Sequence, residues 1–118
     1  MALLDRAAIL AANDLPTRDV DVPEWGGTVR IRAMNARDRG DYETVAFEQS
    51  KMGRSIPENF RAHYAAACIV GDDGEPLFTG ADVVALGLKS ADALQRVFDA
   101  IMEMNKIAPA AIEDAAKN

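Results

Sequence analysis

Residues 20–33, Val20-Asp-Val-Pro-Glu-Trp-Gly-Gly-Thr-Val-Arg-Ile-Arg-Ala33, set two alternating strands on either side of a glycine pair. Val20, Val22, Val29 and Ile31 fall on one face, while Asp19, Asp21, Arg30 and Arg32 fall on the other. The division follows from the period of two along a strand. One face of such a hairpin must be buried and the other stays in water. A lone hairpin is marginal in water, so its apolar face has to lie on helices. Centring a type I′ turn on Gly26-Gly27 pairs Val22 with Ile31 and Asp21 with Arg32. A slide of two residues pairs Val22 with Val29 and Asp21 with Arg30 and keeps the same faces. The first register is expected, because glycine alone takes both positive-φ positions of that turn without strain.

Almost everything else reads as helix. Ala2 to Ala12 carries Leu3, Leu4, Ile9 and Leu10 in a short helical pattern that stops ahead of Pro16. Asn35 is a good N-cap for a helix reaching about Gln49, with Tyr42, Val45, Ala46 and Phe47 turned inward. After a polar loop at Lys51-Met-Gly-Arg-Ser55, Ser55 and Pro57 open a third helix. Its apolar stripe is Phe60, Tyr64, Ala67 and Cys68. Turn chemistry interrupts at Val70-Gly-Asp-Asp-Gly-Glu-Pro-Leu-Phe78. Thr79-Gly-Ala-Asp82 has the form of a capping box and Gly87 supplies a stop. Ser90 then caps a longer helix with Leu94, Val97, Phe98, Ile101 and Met102 on its inner face. The expected fold is α+β: one β-hairpin packed against about five helices in a single domain, 1–118, with residues 109–118 frayed.

Charge and composition exclude several function classes. The net charge is −6, from 19 acidic and 13 basic residues, and nothing resembles the basic face that nucleic-acid binding requires. The acidic balance favours solubility or a basic protein partner. The single cysteine, Cys68, lies in an apolar helical run, where a buried thiol in a reducing cytoplasm is expected. The N-terminus lacks the form of a signal peptide, and no stretch approaches the roughly 18 apolar residues of a membrane span.

Catalytic and metal-binding patterns are missing as well. His63 is the only histidine and has no carboxylate three or four residues on, so neither a zinc signature nor a general base is built around it. Gly71-Asp-Asp-Gly-Glu75 reads as a solvated turn, since Pro76-Leu77-Phe78 stands where a calcium loop would continue. No serine sits in a nucleophile elbow. The chain is expected to be no enzyme and to use no cofactor or metal.

Two features point instead to protein binding. Trp25 stands at the tip of a polar turn, where it either folds back onto the helices or joins a binding patch. Met52, Met102 and Met104 are the second feature, since flexible thioethers suit recognition of varied apolar segments. Met104 lies off the Leu94–Phe98–Ile101 stripe and is the better placed for exposure.

These parts, in order, are the leading helix, the Val-x-Val-Pro-Glu-Trp-Gly-Gly-x-Val-x-Ile-Arg hairpin, the helix after Asn35, the apolar helix running into Val70–Phe78, and the Ser90-started helix ending Met-Asn-Lys. Together they resemble the tail assembly chaperones of lambda-like, long-tailed bacteriophages and prophages. The resemblance implies a transient factor that binds the tape measure protein, keeps it soluble and helps gather tail tube subunits around it. It implies action in the cytoplasm of the bacterial host and absence from the mature virion. The alternative is a structural tail or head-tail component retained in the virion. In that family a longer form is often made by programmed frameshifting near the end of the first reading frame, and the tail tube protein is the partner expected for such a form. The ending Ala116-Lys117-Asn118 is compatible with a slippery GCA-AAA-AAC run. The family has no catalytic residues to carry over. An exposed hairpin edge would also invite pairing with another copy, giving a homo-oligomer.

Overall fold

The computed structural model describes residues 2–51 and 59–106. Its core begins with the hairpin, β1 (Thr17–Val22) and β2 (Gly27–Arg32). The faces are those read from the alternation, but the register is neither of the two expected. Val22 stands opposite Gly27, Val20 opposite Val29 and Asp19 opposite Arg30. Proline is the reason. Pro23 has no N–H to give a ladder and instead starts a 3-10 turn, Pro23–Trp25. Gly26 closes that turn at φ 71°, its N–H donating to the Pro23 carbonyl at 3.0 Å. Only this one glycine of the pair is left-handed, so Gly27 is free to open β2. An even slip leaves every side chain on its original face.

A third strand, β3 (Ile69–Val70), escaped the sequence reading. It pairs antiparallel with β2, Arg30 opposite Val70 and Ile31 opposite Ile69, giving the order β1-β2-β3. The chain leaves a helix directly into this strand and turns back through Gly71 to Glu75, where the Gly71 N–H donates to the Glu75 carbonyl at 2.9 Å. Leu77 then returns its N–H to Ile69 at 3.1 Å, so residues 76–77 line the outer edge of β3. The class is α+β in one domain, as expected.

The described residues form five helices: α1 (Arg6–Ala11), α2 (Ala36–Lys51), α3 (Phe60–Cys68), α4 (Val83–Gly87) and α5 (Ala91–Met104). Three of their caps are the ones the sequence offers. Asn35 Oδ1 accepts from the Asp38 N–H at 2.8 Å, and Ser90 Oγ from the Ala93 N–H at 3.2 Å. Thr79 and Asp82 form a reciprocal capping box around a short 3-10 turn, Gly80–Asp82, that leads into α4. The expected helix start at Ser55 and Pro57 lies outside the described residues, as do Met52 and the 109–118 tail. So do the side chains of Val45 and Ala46.

The sheet's apolar face, through Val22 and Ile31, lies on α3 and α5. Leu94, Val97, Phe98, Ile101 and Met102 of α5 are all buried there, as their spacing predicts. Phe60, Tyr64 and Phe98 meet edge to face with centroids 4.9–5.6 Å apart, and Tyr42 stacks on Tyr64 at 4.7 Å. Such pairs add roughly 0.5–1.5 kcal/mol beyond burial, which compensates for a chain with four Phe, two Tyr and one Trp. A second cluster of Ala62, Ala66, Val83 and Leu86 joins α3 to α4 through Phe78.

Two helical expectations fail. Phe47 is exposed rather than inward, under the Lys51 ammonium at 4.6 Å. Tyr42 sets the inner face of α2, its hydroxyl donating to the His63 carbonyl at 2.8 Å. Five residues later the helix has turned about 140° from that direction. The leading helix is also shorter than its pattern. Asp5 caps it at 2.8 Å from the Ala8 N–H, and it buries none of its side chains.

Candidate interaction surface

The Pro23–Trp25 turn is pinned to α5 by charge. Arg96 Nε donates to both carboxylate oxygens of Glu24 at 3.0 Å. Glu24's own backbone N–H, and then the Arg96 guanidinium, hold the Glu24 carboxyl below its ordinary range. With the turn held, Trp25 folds back and packs, partly buried, against the main core. The rest of the ring forms one wall of a groove of about 370 Å³ completed by Phe78, Asp82, Ala85, Leu86 and Lys89. Its lining is chiefly apolar, with Asp82 and Lys89 supplying the charges. Val84 and Leu88 stand exposed on the same stretch of chain, Leu88 at 84%.

The second apolar surface is the leading segment. Leu3 is 100% exposed, and Leu4, Ile9 and Leu10 are each more than half exposed. This segment precedes β1 in the chain, whereas Trp25 follows it.

The methionines divide. Met102 is 1% exposed inside the core, so it cannot serve as a binding side chain. Its position on the inner stripe of α5, one residue past Ile101, put it there. Met104 is partly buried against the same core, and Met52 lies outside the described residues. Of the three singled-out residues that lie among the described ones, Trp25 lines this groove. The Phe78–Leu86 wall opposite it went unnoticed. Val83-Val-Ala-Leu-Gly-Leu88 is apolar all round, and a helix of that length can bury only one side. The exposed Val84 and Leu88 were the available signal.

Cys68 is buried, and loss of solvent pushes its thiol up to about 12, where no reactive thiolate forms near neutral pH. No group of three metal-ligating side chains comes together among these residues, and no helix among them is long and apolar enough to cross a membrane.

No protein-family model and no curated protein sequence matches the chain. Solved structures do. The fold resembles that of the bacteriophage HK97 tail assembly chaperone. The match covers 76% of this chain and 85% of that one, with a TM-score of 0.57 and 13% identity. At that identity the likeness is one of backbone architecture, and side-chain roles do not transfer with it.

Proposed function

We propose that this chain is a transient chaperone of phage tail assembly that acts by binding rather than catalysis. The observation carrying this reading is the fold held in common with the HK97 tail assembly chaperone over most of both chains. Its client is the tape measure protein, a long helical chain whose apolar stripes aggregate when bare. Masking them needs a partner with apolar surface of its own and enough charge to stay in solution. The Trp25–Phe78–Leu86 groove and the Leu3–Leu10 segment offer that surface on a chain of net charge −6. The tail tube protein is recruited through a frameshifted longer product. The work is done in the bacterial cytoplasm, and the chaperone is left out of the virion.

Co-expression with the tape measure protein of the same phage tests this. The expected result is a soluble complex that forms only when this chain is present. An equally insoluble tape measure with and without it, together with recovery of this chain from purified virions, would replace the chaperone with a retained structural component.

A further inference from the structure

On the other side of Phe78 from the apolar groove lies a second cavity, of about 310 Å³, with a different chemistry. Arg32 enters it from the end of β2, Arg37 and Asp38 from the first turn of α2, and His63 from α3. Two guanidiniums here face a single carboxylate, within a protein whose overall charge is −6. Asp38 is stretched between them, its oxygens 3.9 Å from Arg32 and 3.9 Å from Arg37, beyond hydrogen-bond range of both. The Arg32 side chain is only 19% exposed. Its Nε–H is fully covered and has no hydrogen-bond partner among the described residues. Tyr42, which also lines the cavity, donates its hydroxyl to the His63 carbonyl and makes no hydrogen bond with Arg32.

A guanidinium buried without a hydrogen-bonded partner is costly, and its planar fork is shaped to grip two oxygens of one planar anion. We infer that this cavity is a carboxylate-binding site, with Arg32 supplying the fork and Arg37 a second cation. The charge balance selects the ligand. One guanidinium remains in excess after Asp38 is counted, which matches the single charge of a carboxylate. A phosphate dianion would meet the Asp38 carboxylate at the same mouth. The carboxylate arrives either on a small molecule or on an acidic side chain or chain end of a protein partner. This inference is independent of the chaperone reading.

The test uses the wild-type protein labelled with ¹⁵N, reading the arginine Nε–Hε resonances, with Arg32 identified by its loss in Arg32→Lys. Sodium acetate, sodium phosphate and sodium chloride are titrated at matched ionic strength, alongside an end-blocked peptide carrying one glutamate. A saturable shift of the Arg32 Hε resonance with acetate, weaker with phosphate and absent with chloride, is expected. Tighter binding of the peptide than of acetate identifies a protein-docking contact, and equal binding a small-carboxylate site. Arg37→Gln, at an exposed position that leaves the fold intact, should weaken the acetate response severalfold. A shift that is linear and equal for all three salts would overturn the inference, as would tighter binding of phosphate than of acetate.

Discussion

Replacing Trp25 with alanine tests whether the turn is a structural lid, a binding surface, or both. A fully buried Trp-to-Ala change costs about 3–5 kcal/mol. Trp25 is partly buried, packed on the core and open to the groove on its other side. A loss of about 2–3 kcal/mol follows from the covered fraction alone. With an unfolding entropy of roughly 2.1 cal/mol/K per residue over about 100 residues, each kcal/mol lowers Tm by about 5 °C. The expected fall is therefore about 10–15 °C. Urea and thermal unfolding followed by far-UV circular dichroism would measure it, with Leu88→Ala as control. Leu88 is 84% exposed, so its loss should move stability by less than about 0.5 kcal/mol. A Trp25→Ala protein within about 0.5 kcal/mol of wild type would refute the packing argument and leave the ring in solvent. At a temperature where both proteins are folded, tape measure capture then isolates the contribution of the groove itself.

Three further outcomes are expected. Serine at Leu3, Leu4, Ile9 and Leu10 together should leave Tm nearly unchanged, because α1 buries nothing. Co-expressed tape measure should nonetheless lose solubility; unchanged solubility would remove the leading segment from the client surface. Asn105→Ala should cost about 1–3 kcal/mol, since Asn105 Oδ1 accepts the partly buried Met34 N–H at 2.9 Å while its amide donates to the Ile101 carbonyl at 2.8 Å. A denaturation midpoint indistinguishable from wild type would show that water serves that N–H equally well. Stability should fall on the alkaline side. Burial raises Cys68, Tyr42 and Tyr64 to about 12 each, from ordinary values of 9.0 and 10.0. Between those values the unfolded chain has lost protons that the folded one keeps, so stability declines as pH rises from about 9 toward 12, by up to about 1.4 kcal/mol per pH unit for each group. Unfolding free energies measured across that range should fall continuously, and a flat profile would show that these groups titrate freely in the native state.

Local chemistry in the sequence was enough to determine the two faces of the hairpin, the inner stripe of α5, the caps at Asn35 and Ser90, and the capping box at Thr79 and Asp82. Each depends on residues within a turn or two of one another, and a period of two or 3.6 survives whatever the rest of the chain does. The tertiary structure alone decided the register, the third strand and the surface. Register turned on Pro23 starting a 3-10 turn, an outcome that two adjacent glycines obscured. Ile69–Val70 is too short to show a period and becomes a strand only because β2 lies beside it. Met102 and Trp25 were both candidates for binding, yet one is buried in the core and the other faces Phe78 and Leu86 across a groove. The Arg32, Arg37, Asp38 and His63 cavity draws on three separate elements, and no spacing along the chain announces it. Whether a side chain meets a partner depends on which distant element packs over it, and that is a property of the assembled chain.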